Sequence, residues 1–87
     1  MKSFTTDDFW EMFYQLPLSI QELAREKYEL WKVNPLHPSL QFKKIRGNVY
    51  SARITDSYRS VGVIDNGEIV WFFIGTHTEY DNLLSKL

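Results

Sequence analysis

Residues 49–75 read VYSARITDSYRSVGVIDNGEIVWFFIG, and the period of two in this stretch decides the fold. Val49–Thr55 alternates polar and apolar residues and stops at Asp56-Ser57, a natural turn pair. Tyr58–Asp65 is a second run of the same kind. Asn66-Gly67 then signals a tight hairpin, because both residues tolerate positive φ. Glu68–Gly75 follows, and its segment Ile69–Ile74 is apolar without interruption. A strand that is apolar on both faces belongs in the middle of a sheet or under cover on both sides. Just upstream, Leu40–Arg46 reads as one more strand, closed by Gly47-Asn48. The expected sheet is therefore a four-stranded antiparallel meander.

Ahead of the strands the period changes to that of a helix. Phe9, Met12, Phe13 and Leu16 mark an apolar stripe over Asp7–Leu16, with Thr6 or Asp7 as its cap and Pro17 as its end. Ser19 and Glu22 have capping-box spacing, and Leu18 and Leu23 have that of a hydrophobic staple. A second helix should run from there to Asn34-Pro35, burying Ile20, Leu23, Ala24, Tyr28 and Trp31. The connection is short, so the two helices are expected to form an antiparallel hairpin. Glu79–Leu87 is expected to add one or two helical turns, while Met1–Thr5 gives only a weak strand signal. The whole is an α+β fold, a single domain over residues 1–87. Its N-terminal helical hairpin packs on one face of the sheet, a short helical tail ends the chain, and the other sheet face is open.

Composition narrows the chemistry. Hydrophobic residues make up 44% of the chain and aromatic residues 16%, enough for a core without staples. The chain has no cysteine, which excludes disulfides and thiolate metal sites and suits a reducing cytoplasmic setting. No apolar run has the length of a membrane span, and the N-terminus has no apolar signal segment, so a soluble protein with no membrane partner is expected. The net charge of −1 lacks the basic excess typical of free-standing nucleic-acid binders. Any RNA or DNA role must rest on a local patch.

Two groups of residues could form such a patch. Lys43, Lys44 and Arg46 fall on the first expected strand, Arg53 on the second and Arg59 on the third. If Tyr50, Ala52 and Ile54 pack under the helices, alternation turns Arg53 to the open face. The alternative is that these cations are solvated edge charges. The second group is Gly75-Thr76-His77-Thr78-Glu79-Tyr80, where the chain leaves its most apolar strand. An imidazole titrates near neutrality and suits proton transfer. Tyr80 could donate a second proton or stack on a base, and Glu79 could orient His77. The alternative is that His77 and Tyr80 only close the end of the sheet. His37, between two prolines, reads as a loop residue; Trp10, Trp31 and Trp71 read as core. Two distant histidines without cysteine give no recognisable metal site.

Leu40-x-Phe42-Lys43-x-x-x-Gly47, Tyr50-Ser51-x-Arg53-Ile54, Tyr58-Arg59 and Trp71-x-x-Ile74-Gly75-x-His77-x-Glu79-Tyr80 follow one another in an order that resembles the RelE/ParE family of toxins from type II toxin–antitoxin systems, including its HigB-like and YoeB-like branches. The resemblance spans nearly the whole chain, although many members begin with a full strand. It implies a cognate antitoxin as partner and one of two activities. RelE-like members are endoribonucleases that cleave mRNA in the ribosomal A site; ParE-like members poison DNA gyrase. An inactive binding module on the same fold is a further alternative. In the ribonuclease case the resemblance implies chemistry without metal or cofactor. Arg53 and Arg59 would hold the phosphate, and His77 and Tyr80 would share proton transfer. Lys43, Lys44, Arg46 and Glu79 would line the substrate path.

Overall fold

The computed structural model describes residues 1–87. Strands β2 (Lys43–Arg46), β3 (Val49–Thr55), β4 (Tyr58–Asp65) and β5 (Glu68–Thr76) form the antiparallel meander. At the β4–β5 hairpin Asn66 and Gly67 have φ of 51° and 77°, the left-handed values that this dipeptide accommodates. The sheet has a fifth strand, β1 (Lys2–Thr5), parallel to β5, and its order is β1-β5-β4-β3-β2. It is thus a five-stranded mixed sheet, not the four-stranded antiparallel one expected. Without β1, the most apolar strand would lie at the edge with one row of backbone groups unpaired. β1 fills that row, and beyond it the Thr6 amide donates to the Trp71 carbonyl at 3.1 Å.

Thr6 caps helix α1 (Asp7–Tyr14), its hydroxyl accepting from the Phe9 amide at 3.1 Å. Helix α2 (Leu18–Val33) starts one residue before the expected cap. Pro17 itself occupies the N-cap position, with φ −53° and ψ 145°, so Ser19 lies inside the first turn and no side chain caps the helix. The Pro17 carbonyl instead accepts from the Ile20 and Gln21 amides at 2.9 and 3.0 Å. Leu18 is 76% exposed, so the expected staple does not form either. After α2 the segment Pro38–Leu40 is a 3₁₀ turn. It drives Leu40 into the core at 1% exposure, and the following strand begins only at Lys43.

α1 packs on β5 and α2 on β3. Phe9, Phe13, Leu16, Ala24 and Trp31 meet Ala52, Ile54, Ile69, Trp71 and Ile74 across this layer. Trp31 and Trp71 touch edge to face at 5.3 Å, while Trp10 is half-buried and its indole N–H donates to the Thr5 hydroxyl at 2.7 Å. Between the pairs Val61–Phe73 and Gly62–Trp71, β5 carries one extra residue, Phe72. This bulge changes the alternation, so Trp71 and Ile74 face the helical layer while Phe73 faces the other side. The second face is therefore not fully open. Val61, Phe73 and Tyr80 are buried there, with Leu83 and Leu84 of helix α3 (His77–Ser85) against them.

Gly62 sits where the bulge meets the core. A Cβ there would lie 2.9 Å from Ile69 Cγ1 and 3.0 Å from Trp71 Cε3, and both residues are buried. Gly62→Ala should therefore lower stability by about 1–3 kcal/mol, the usual cost of overpacking. Urea denaturation followed by tryptophan fluorescence measures this; unchanged stability would mean that the core yields freely at this point.

Candidate functional site

Ala52 and Ile54 point into the helical layer, so alternation turns Arg53 to the opposite face. On β4, Tyr58 packs with the helical layer, and its neighbour Arg59 is directed the same way as Arg53. The register makes Arg53 and Arg59 direct partners across the two strands. Like charges facing each other in a sheet repel unless compensated. The connecting turn supplies the compensation. Arg53 Nη2 forms an ion pair with Asp56 Oδ1. Arg59 Nη1 donates to the carbonyls of Thr55, Asp56 and Tyr58, the last two at 3.3 and 3.0 Å. Both guanidinium groups are thereby gathered at the β3–β4 turn.

His77 is tied to the same turn. Its amide donates to the Ser57 carbonyl at 2.8 Å, and it is the first residue of α3. Thr76 and Glu79 form a capping box. The Thr76 hydroxyl accepts from the Glu79 amide at 3.1 Å, and the Glu79 carboxylate accepts from the Thr76 amide at 2.9 Å. Glu79 is thus committed to the cap and does not orient His77 as expected. That place is taken by Asp81, whose Oδ2 lies 3.1 Å from His77 Nδ1. The reason is helical spacing, since residues four apart share a face. Thr76-x-x-Glu79 is itself the signal that starts the helix at His77 and so brings Asp81 beneath the imidazole; the sequence reading began the helical tail at Glu79 instead.

Tyr80 lies under His77, with ring centroids 5.7 Å apart and planes at 70°. It is only 8% exposed and packs with Val61 and Phe73, so its ring supports the imidazole and offers no open face for stacking on a base. The β2 cations are dispersed. Lys43 pairs with Ser51 and shares the face of Arg53. Lys44 pairs with Tyr50 and so faces the helical side. Arg46 is opposite Val49 at the other end of the strand, with its guanidinium on the Leu87 backbone oxygen. Neither Lys44 nor Arg46 joins the arginine pair. No three His, Asp or Glu side chains gather closely enough to hold a metal ion.

A groove of about 400 Å³ opens on the helical side, among Phe4, Phe9, Trp10, Ala24, Tyr28 and Trp31, and Arg53 also contributes to its lining. The indole nitrogen of Trp31 is buried there without a hydrogen-bond partner. Nothing in the sequence marks this groove, because a gap between helix and sheet has no local pattern.

No protein-family model matches the sequence, and no curated protein matches it. Solved structures do match. The RelB–RelE antitoxin–toxin complex from Methanococcus jannaschii contains a chain similar at a TM-score of 0.74 and 19% identity, over 92% of this chain and 96% of that one. A YoeB/ParE toxin from Agrobacterium tumefaciens is similar at 0.70 and 18% identity, over 88% of this chain and 99% of that one. The RelBE2 toxin–antitoxin complex from Mycobacterium tuberculosis contains a chain similar at 0.69 and 21% identity, over 87% of this chain and 96% of that one. The chain has the fold of the RelE/ParE toxins.

The capping box gives a direct test of how α3 is held. Thr76→Ala should lower stability by about 1 kcal/mol, as loss of a helix N-cap does. Amide hydrogen exchange should show faster exchange at Thr78 and Glu79 than in the wild type. Equal rates would mean that the packing of Tyr80 and Leu83 alone holds the helix start.

Proposed function

We propose that this chain is the toxin of a toxin–antitoxin pair and acts as an endoribonuclease that cleaves mRNA on the ribosome. The observation that carries this reading is the single turn that holds both the Arg53 and Arg59 guanidinium groups and the His77 backbone amide, in a fold shared with RelE and YoeB toxins. Its partner is an antitoxin protein, as RelB is for RelE in the Methanococcus jannaschii complex.

The chemistry follows from those groups. Cleavage of RNA by its own 2′-oxygen needs a base for the 2′-hydroxyl proton and a cation for the charge gathering on the phosphate. It also needs an acid for the departing 5′-oxygen. His77 takes the 2′-hydroxyl proton as the oxygen attacks phosphorus. The P–O5′ bond breaks, leaving a cyclic phosphate on one fragment and a 5′-hydroxyl on the other. Arg53 and Arg59 stabilise the phosphate oxygens as charge accumulates, the role that fixed cations play in phosphoryl chemistry. The phosphate displaces Asp56, whose side chain is 87% exposed and free to swing away. Tyr80, whose ring neighbours the imidazole, is the phenol that gives a proton to the departing 5′-oxygen. Lys43 extends the cationic face along the substrate strand.

A second reading has its own support: Arg53 is already paired with the Asp56 carboxylate, and the Arg59 donors are already engaged by turn carbonyls. That arrangement also fits a binding module without activity. Poisoning of DNA gyrase is the remaining alternative. Induced expression in bacteria separates the three. Wild type should arrest growth with protein synthesis falling before DNA replication. His77→Ala and Arg53→Ala should each relieve the arrest, with mRNA cleavage falling about 100-fold or more. Replication failing first would point to gyrase. Growth unaffected by strong induction would leave the binding module.

A further inference from the structure

The contact between His77 and Asp81 carries a consequence for the proton chemistry. An ionised carboxylate only accepts hydrogen bonds. With Asp81 Oδ2 at 3.1 Å from Nδ1, the neutral imidazole must carry its proton on Nδ1. Nε2 then holds the lone pair. We propose that Asp81 is a positioning residue for His77, fixing the Nδ1–H tautomer so that Nε2 is the nitrogen that takes the substrate proton. The catalytic half of this inference rests on the ribonuclease reading above; the tautomer half does not.

Three independent contacts hold the ring. The His77 backbone is anchored to the Ser57 carbonyl, the Tyr80 ring meets it edge-on at 5.7 Å, and Asp81 engages Nδ1. The first two set where the ring sits, but neither distinguishes its two nitrogens. Only Asp81 does. The choice matters because a base works only if its lone pair is on the nitrogen that meets the substrate, and the partner of one ring nitrogen sets the protonation of the other. Without Asp81 the neutral ring would divide between tautomers, and one population would present N–H where an acceptor is needed.

The test reads the tautomer directly. Nitrogen-15 NMR of the histidine side chains, taken where the ring is neutral, should show Nδ1 as the protonated, pyrrole-type nitrogen and Nε2 as the bare, pyridine-type one. His77→Gln identifies which signals belong to His37. Asp81→Ala should move the ring toward the Nε2–H form, whereas Asp81→Asn, whose side-chain oxygen still accepts, should retain Nδ1–H. Alanine is the strongest helix former, and Asp81 is exposed, so α3 is expected to persist in the variant. In ribosome-dependent mRNA cleavage, Asp81→Ala should lower kcat roughly 10-fold with KM unchanged, and Asp81→Asn should restore most of that loss. The proposal is overturned if wild-type His77 is protonated on Nε2, if Asp81→Ala leaves the tautomer unaltered, or if only KM rises. If the wild type cleaves no mRNA, the ribonuclease reading and the catalytic half fall together, while the spectra still decide whether Asp81 sets the ring.

Discussion

The constraint on which the rest depends is the extra residue in β5. A regular strand would keep Ile69, Trp71 and Phe73 on one face. The bulge at Phe72 sends Phe73 to the other face and returns Ile74 to the first. Both faces of the strand are then apolar, and both need cover. α1 and α2 supply it on one side and α3 on the other, each against its own buried cluster. Gly62 lies opposite Trp71 at the bulge, where it leaves room for the indole. Since α3 must return over the second face to cover Val61 and Phe73, the chain has to turn sharply at Thr76. That turn sets His77 beside the β3–β4 connection. The site is thus a consequence of how the sheet is covered.

Electrostatics at that connection follows from the same geometry. The register that pairs Arg53 with Arg59 would be unfavourable if both charges faced solvent without counter-groups. The tight turn brings three carbonyls and one carboxylate within reach, and the guanidinium groups settle on them. Carbonyl acceptors leave the charge of Arg59 intact while fixing its direction. Asp56 cancels the charge of Arg53 but is held by that one contact and is largely exposed. An exposed carboxylate held by one contact is displaced more readily than backbone. The pair is therefore asymmetric: Arg59 is a fixed cation and Arg53 a releasable one.

Much of this was legible in the sequence, and what was not shares a physical cause. β3 and β4 have the bounds that alternation predicts, and the Asn66-Gly67 hairpin forms as its φ tolerance requires. The face chosen for Arg53 follows from Ala52 and Ile54 on either side of it. These are local patterns, repeated over several residues. β1 gives only a weak signal at Met1–Thr5, because its four residues are held by parallel pairing with a strand more than sixty positions away and not by a local pattern. The α2 start differs because Pro17 takes the N-cap position, its carbonyl accepting the first amides of the helix, which leaves Ser19 and Glu22 inside the helix and not at its boundary. At α3 the capping-box signal was present at Thr76 and Glu79, but Glu79 was read as chemistry and not as the end of a helix. With the helix starting at His77, Asp81 comes onto the face of the imidazole and the Tyr80 ring packs with Val61 and Phe73, closing the end of the sheet.

Charge balance links the scaffold to its setting. The chain carries a net charge of −1, and the carboxylates of Asp56 and Asp81 lie within the cluster itself. Affinity for free RNA grows with the number of phosphates that basic groups neutralise. One fixed arginine, one releasable arginine and a nearby Lys43 give little hold on a free strand. The identities of 18–21% with RelE and YoeB proteins establish the fold, so what the site does has to be argued from these side chains. They place two guanidinium groups on one turn and tie His77 to it through its amide; under the proposed reading this suits a phosphate already held in place better than one captured from solution. A ribosome that presents its mRNA in a defined path removes the need for capture. The sparse, internally compensated site and the ribosome-dependent reading are therefore consistent, each accounting for what the other lacks.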